Sequence, residues 1–305
     1  SERGIGSNGN YPYLSSNTTA AQLNLASRSI TSLNSNGFTL QTGGDSQFNA
    51  SGNNYVSWTF RKAPKFFDVV TYTGTGVTDR TVSHNLGISP GMVIVKRTNG
   101  ADSWLILHRS EPSSNLFLNL TTAASSTLRI KSMDSTTFTL DNGQVNESGQ
   151  TYVAYVFAHD TDASSLIKCG GYTGNGTVGH VINVGFEAQW VMVKCTNDTE
   201  AWVIYDTVRG MPASGNGARL EPNASGLEEA VNRVGANSQG FQLTSGDGQV
   251  NLNNNTYIYM AIRSPSIPTV TYDSTLQWSG GTAPTLPALG EKDVITFNTT
   301  DGGTT

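Results

Sequence analysis

The sequence predicts an all-β protein of tandem antiparallel β-sandwich domains, jelly-roll-like, of about 100 residues each, followed by a short C-terminal β segment. Three observations predict it. The apolar runs are short and rich in β-branched and aromatic residues, as in Met92-Val-Ile-Val-Lys96, which favours strands over helices. Turn signals such as Thr98-Asn-Gly100, Asp141-Asn-Gly143 and Gly246-Asp-Gly248 fence them. The same blocks then recur, in the same order, along the chain.

The first half of the repeated unit occurs twice. Val69-Val-Thr-Tyr-Thr-Gly-Thr-Gly76 aligns with Cys169-Gly-Gly-Tyr-Thr-Gly-Asn-Gly176, so that Tyr72 matches Tyr172. Met92-Val-Ile-Val-Lys96 matches Trp190-Val-Met-Val-Lys194, and Trp104-Leu-Ile-Leu107 matches Trp202-Val-Ile-Tyr205. The second half occurs three times. Its strands begin at Gly37, Thr137 and Gly240, and end in Tyr55-Val-Ser-Trp-Thr-Phe60, Tyr152-Val-Ala-Tyr-Val-Phe157 and Tyr257-Ile-Tyr-Met-Ala-Ile262. Between them lie Gln47-Phe-Asn49, Gln144-Val-Asn146 and Gln249-Val-Asn251.

A period of about 100 residues exceeds that of solenoids and propeller blades, so each unit is expected to enclose its own core, as beads on a string. The domain edges follow: 1–66 is the C-terminal half of a first repeat, 67–163 a second repeat and 164–264 a third. Residues 265–305 hold a Pro-containing linker and the start of a further β unit, with strands expected at 270–278 and 293–298. One helix candidate interrupts the β pattern, two turns over Gly226–Val234. Because 1–66 lacks the Tyr-Thr-Gly and Val-Ile-Val-Lys strands, its missing half is expected from preceding chain or from another subunit. A closed solitary domain over 11–60 would refute that. Ser1 in place of an initiating Met suggests an excised or processed piece.

Charged residues make up 13% of the chain and the net charge is −5, against about 25% charged residues in ordinary domains. Gly, Ser, Thr and Asn crowd the surface instead. Without a run of Lys or Arg the chain lacks the electrostatic footprint of a nucleic-acid binder, and no apolar stretch reaches the length that crosses a bilayer. Cys169 and Cys195 match no zinc spacing or disulfide framework. Two buried unpaired thiols, or one bridge between neighbouring strands, both fit.

The residues that carry chemistry are sparse. His84, His108, His159 and His180 are scattered over loops and strand ends, none at metal-ligand spacing, and no Gly-x-Ser-x-Gly elbow is present. Paired carboxylates for glycan cleavage would come from Asp102, Glu111, Glu187, Glu200, Asp206 and Glu221, read as solvated loop acids. The glycine-rich stretches at Gly74 and Gly170 lack a following helix and read as turns. The oxygen-rich Asp247–Asn255 segment lacks the terminal acid of a calcium loop and reads as a hairpin turn. No catalytic residue, cofactor or metal is assigned. Asn-x-Ser/Thr triplets at Asn17, Asn49, Asn119 and Asn223 arise from composition.

Aromatic rings are the most plausible binding equipment, since a flat ring stacks on the apolar face of a sugar. Trp104 and Trp202 recur at matching strand positions and are expected in the core. Tyr11, Tyr13 and Trp278, outside the repeated strands, are the candidate glycan contacts.

Tyr72-Thr-Gly-Thr-Gly76, Val82-Ser-His-Asn-Leu-Gly-Ile-Ser-Pro-Gly-Met-Val-Ile-Val-Lys96, Trp104 with His108-Arg109, and Phe138-Thr-Leu140 through Phe157 resemble the tandem domains of marine tailed-bacteriophage fibre proteins. Tyr172-Thr-Gly-Asn-Gly176 with Trp202–Arg209 resembles a second copy. The resemblance covers about residues 1–263 and implies a structural virion protein of a tail appendage, extracellular and homotrimeric. Its implied partners are other tail or virion proteins and host-surface polysaccharide. A secreted cellular adhesin or carbohydrate-binding module, and a glycan-depolymerising tailspike, are the alternatives.

Overall fold

The computed structural model describes residues 11–24, 30–41 and 48–264. The expected strands at 270–278 and 293–298, and with them Trp278, lie outside the described residues. Every regular element described is a strand, and all pairings are antiparallel.

The first repeat contributes a hairpin of β1 (Ile30–Asn34) and β2 (Gly37–Leu40). The second holds β3 (Phe67–Thr73), β4 (Arg80–Ser83), β5 (Pro90–Arg97), β6 (Leu105–His108), β7 (Leu116–Phe117), β8 (Ile130–Met133), β9 (Thr137–Leu140) and β10 (Thr151–Ala158). Its two sheets run β3-β10-β5-β6-β7 and β4-β9-β8. The third holds β11 (Ile167–Thr173), β12 (His180–Asn183), β13 (Ala188–Cys195), β14 (Val203–Asp206), β15 (Gly217–Arg219), β16 (Glu229–Val231), β17 (Val234–Asn237), β18 (Gly240–Leu243) and β19 (Thr256–Arg263). Its sheets run β11-β19-β13-β14 and β12-β18-β17, with β15-β16 as a separate pair. The duplication read in the sequence is therefore a duplication of topology.

The same local devices shape both complete repeats. Tyr72 stacks on Tyr152 at 5.1 Å and Tyr172 on Tyr257 at 5.0 Å. Each first tyrosine donates its hydroxyl to a hairpin carbonyl, that of Val145 or Val250. Asn146 accepts from the Thr75 amide and donates to Val77 O; Asn251 does the same with Asn175 and Thr177. The glycine after each Tyr-Thr is required by close approach: a Cβ on Gly74 would collide with Glu147 O, and one on Gly174 with Leu252 O.

The Gly226–Val234 segment is not a helix. Glu229–Val231 forms β16 against β15, and Val234 opens β17. Two helical turns satisfy few of their own backbone groups, whereas the neighbouring strands offer this segment a ladder.

The beads-on-a-string expectation also gives way. The described residues between 11 and 264 belong to one compact unit. In the third repeat β13 turns Val191 and Val193 into the private sandwich core but Trp190 and Met192 into a cluster that holds the second repeat's core. β19 divides likewise, with Tyr257, Tyr259 and Ala261 on the private side and Ile258, Met260 and Ile262 on the shared side. Strands buried on both faces read as continuous apolar runs, and the Trp190–Lys194 run is one of these. Trp58 and Phe60 of the first repeat pack against the shared cluster. Residues 11–60 thus lean on the other two repeats rather than closing on themselves.

Candidate functional site

Each repeat carries one loop of equivalent construction, and two of the three dock on the repeat that follows. Residues 13–23 are closed by a bridge between Tyr13 and Leu23, residues 115–125 by one between Asn115 and Ser125, and 219–229 by pairing of Arg219 with Glu229. The first loop docks on the second repeat. Lys96 Nζ and the Asp102 amide donate to Thr19 O at 3.3 and 2.8 Å, and Trp104 Nε1 donates to Ser15 O at 3.1 Å. Gln22 N donates to Thr98 O at 2.8 Å. The second loop repeats these four contacts on the third repeat. Lys194 Nζ and Glu200 N donate to Thr121 O at 3.2 and 2.9 Å, Trp202 Nε1 to Phe117 O at 2.9 Å, and Ala124 N to Thr196 O at 2.7 Å. Both lysines are fully buried, and loss of hydration pushes each ammonium pKa down to about 8.

His108 adds a further link between the second and third repeats. It is fully buried, with Nε2–H donating to Tyr259 O at 3.2 Å and Nδ1 accepting from Ser110 N at 3.2 Å. That pairing requires the neutral ring, and burial lowers its pKa to about 3.

Where the first repeat meets the third, a cleft of about 270 Å³ opens between Trp58, Phe60 and Phe66 on one side and Gln189, Trp190, Asp206 and Ile262 on the other. Trp58 and Trp190 meet edge to face, with ring centroids 6.2 Å apart. Asp206 closes β14 and is 3% exposed. Its carboxylate accepts from Trp58 Nε1 at 3.1 Å and Arg209 Nε at 2.6 Å, while the Arg209 guanidinium lies 5.3 Å from the Trp58 ring centroid. The indole Nε1 of Trp190 is buried with no hydrogen-bond partner among the described residues. The arrangement offers apolar ring faces and an amide from Gln189, which is equipment for binding.

The sequence candidates fall elsewhere. Tyr11 and Tyr13 are half-buried near the β1 hairpin: Tyr11 N donates to Ile30 O, and Tyr13 packs edge-on against Phe48 at 5.3 Å. Neither lines the cleft. Trp104 and Trp202 are core residues, as their recurrence implies. Asp206 is a buried strand-end acid rather than a solvated loop acid, because its partners Trp58 and Arg209 replace water around it. His84 and His108 sit at strand ends but are buried. Cys169 and Cys195 are buried and unbridged. Among the described residues, no group of three or more His, Cys, Asp or Glu could hold a metal ion. Trp58 was within reach of the sequence: it stands where Tyr155 and Met260 stand, so its ring belongs to the same outward strand face.

Fold and site together define an all-β repeat protein whose copies clamp one another through equivalent loops and share an interior. The chain belongs to the family described as Domain of unknown function (DUF7483), which matches residues 8–265. No curated protein and no solved structure matches it.

Proposed function

We propose that this chain is a structural and adhesive module of a bacteriophage tail fibre or related appendage, which spaces and presents a glycan-binding surface to the host. The resemblance of the repeated blocks to marine phage fibre domains supports the location, in the virion and outside the cell. The Trp58–Trp190 cleft supports the binding role. Aromatic faces stack on the apolar side of a pyranose, and the Gln189 amide beside them can pair a sugar hydroxyl. In a homotrimer, which the resemblance also implies, three weak sites would gain by avidity.

Calorimetric titration of the chain with host-surface polysaccharide fragments tests the reading. Binding should weaken at least tenfold in Trp58→Ala and measurably in Gln189→Ala, a half-buried residue whose loss leaves the core intact. Binding unaffected by both changes would remove the cleft from the proposal. Release of reducing sugar that depends on a single loop acid would replace adhesion with depolymerisation.

A further inference from the structure

The third loop has the same construction as the two that dock, and no hairpin to dock on among the described residues. Its register is fixed by Asn223, whose Oδ1 accepts from Trp202 N at 2.8 Å as Asn119 Oδ1 accepts from Trp104 N at 2.9 Å. Its turn is the same too, Ala224 N donating to Glu221 O as Leu120 N donates to Phe117 O. Glu221, Ser225 and Glu228 therefore stand where Phe117, Thr121 and Ala124 stand. In the second loop those positions receive a tryptophan Nε1–H, receive a lysine ammonium, and donate to the carbonyl that follows the lysine strand. Ser225 O and Glu228 N have no hydrogen-bond partner among the described residues, and Leu227 between them is 91% exposed.

The opposite wall is built as in the other repeats. Ala50 N donates to Tyr55 Oη at 2.9 Å, as Glu147 N does to Tyr152 Oη and Leu252 N to Tyr257 Oη. Asn54, Tyr55 and Val56 therefore correspond to the first residues of β10, where Tyr152 faces Arg97 of β5. In the second repeat β5 and β6 lie between that strand and the docked loop. In the first repeat the corresponding space is a groove of about 690 Å³ between Asn54–Val56 and Gly226–Glu228.

We propose that this groove is an acceptor for a β-hairpin of the β5–β6 kind carried by a partner protein: a short apolar strand ended by lysine, a polar loop, and a strand opened by tryptophan. The lysine reaches Ser225 O, the indole reaches Glu221 O, and the carbonyl of the second residue after the lysine receives Glu228 N. A second copy of this chain does not fit the role, because the two hairpins of this pattern among its described residues are already held by the 13–23 and 115–125 loops.

A synthetic turn-closed hairpin with the sequence of residues 90–108 serves as the probe, titrated into the full chain while amide resonances are followed by NMR. Saturable shifts are expected at Leu227, Glu228 and Asn54. Affinity should fall about tenfold or more, the worth of a lost charged hydrogen bond, when the hairpin carries Lys96→Ala or the chain carries Glu228→Pro; Glu228→Gln should bind as the parent does. To guard against a probe that does not fold alone, the same strands are also fused ahead of residue 11 through a flexible linker, where hydrogen exchange at Glu228 should slow by about tenfold or more. Absence of shifts together with unchanged exchange overturns the proposal. So does binding indifferent to Glu228→Pro, or concentration-dependent protection of these amides in the chain alone, which would assign the groove to self-association.

Discussion

The ammonium of Lys194 leaves its own repeat to reach the carbonyl oxygen of Thr121, 3.2 Å away, while also donating to Cys195 O at 2.6 Å. Lys96 makes the same pair of bonds to Thr19 O and Arg97 O. Each is a buried cation held by backbone carbonyls. Carboxylates act on it from further off: Asp102 near Lys96, and Glu200 and Asp198 near Lys194.

Because desolvation lowers both lysines from 10.5 to about 8 in the folded chain, the unfolded chain holds more protons between those values. Their contribution to stability is complete above about pH 10.5 and is lost as pH falls through 8. Urea unfolding at pH 7.5 and 9.5 should show the parent gaining stability over that interval relative to the Lys96→Met, Lys194→Met double variant. Equal slopes would mean that the ammonium groups are hydrated.

His108 sets the acid side. Its folded pKa of about 3 lies below the usual 6.5, so its contribution is complete above pH 6.5 and is lost as pH falls toward 3. Arg109 and His159, which face it, oppose its protonation further. His108→Asn should cost stability at pH 7 by about 1–3 kcal/mol, since Tyr259 O is left unsatisfied, and should flatten the decline between pH 6 and 4. Acid titration followed by circular dichroism measures both.

The tyrosine hydroxyls offer a matched pair of deletions. Tyr72→Phe and Tyr172→Phe keep the stacked rings and remove only the bonds to Val145 O and Val250 O. Each should destabilise by about 1 kcal/mol. Equal losses are expected, because the two sites are built alike, and denaturant midpoints report them.

Trp202 tests the shared interior. It is 1% exposed, belongs to the cluster containing the second repeat's core, and donates to Phe117 O. Trp202→Ala should cost about 3–5 kcal/mol. Calorimetry should show the second and third repeats unfolding in one transition shifted downward; two separated transitions would indicate independent cores.

Much of this architecture was legible in the sequence. The pairing of Tyr72 with Tyr172, Lys96 with Lys194 and Trp104 with Trp202 located equivalent strands, and turn chemistry located the hairpins. The shared interior was not read, although Trp190-Val-Met-Val193 carries its signal: an unbroken apolar run means that both strand faces are covered. The 226–234 segment misled because Leu, Glu and Ala favour helix locally, while the adjacent β15 strand decides otherwise through pairing. The Trp58–Trp190 cleft brings together residues more than a hundred positions apart, and local pattern holds no information about such a meeting.

Continuity of the interior across repeats bears on how the chain would respond to load. Were each sandwich sealed, a pull on the two ends would spool out one module at a time, giving a sawtooth of similar steps. With Met192 and Met260 of the third repeat buried in the same cluster as Met92 and Phe157 of the second, tearing either one open exposes the flank of the other to water. Force spectroscopy should then record a single long rupture for the pair.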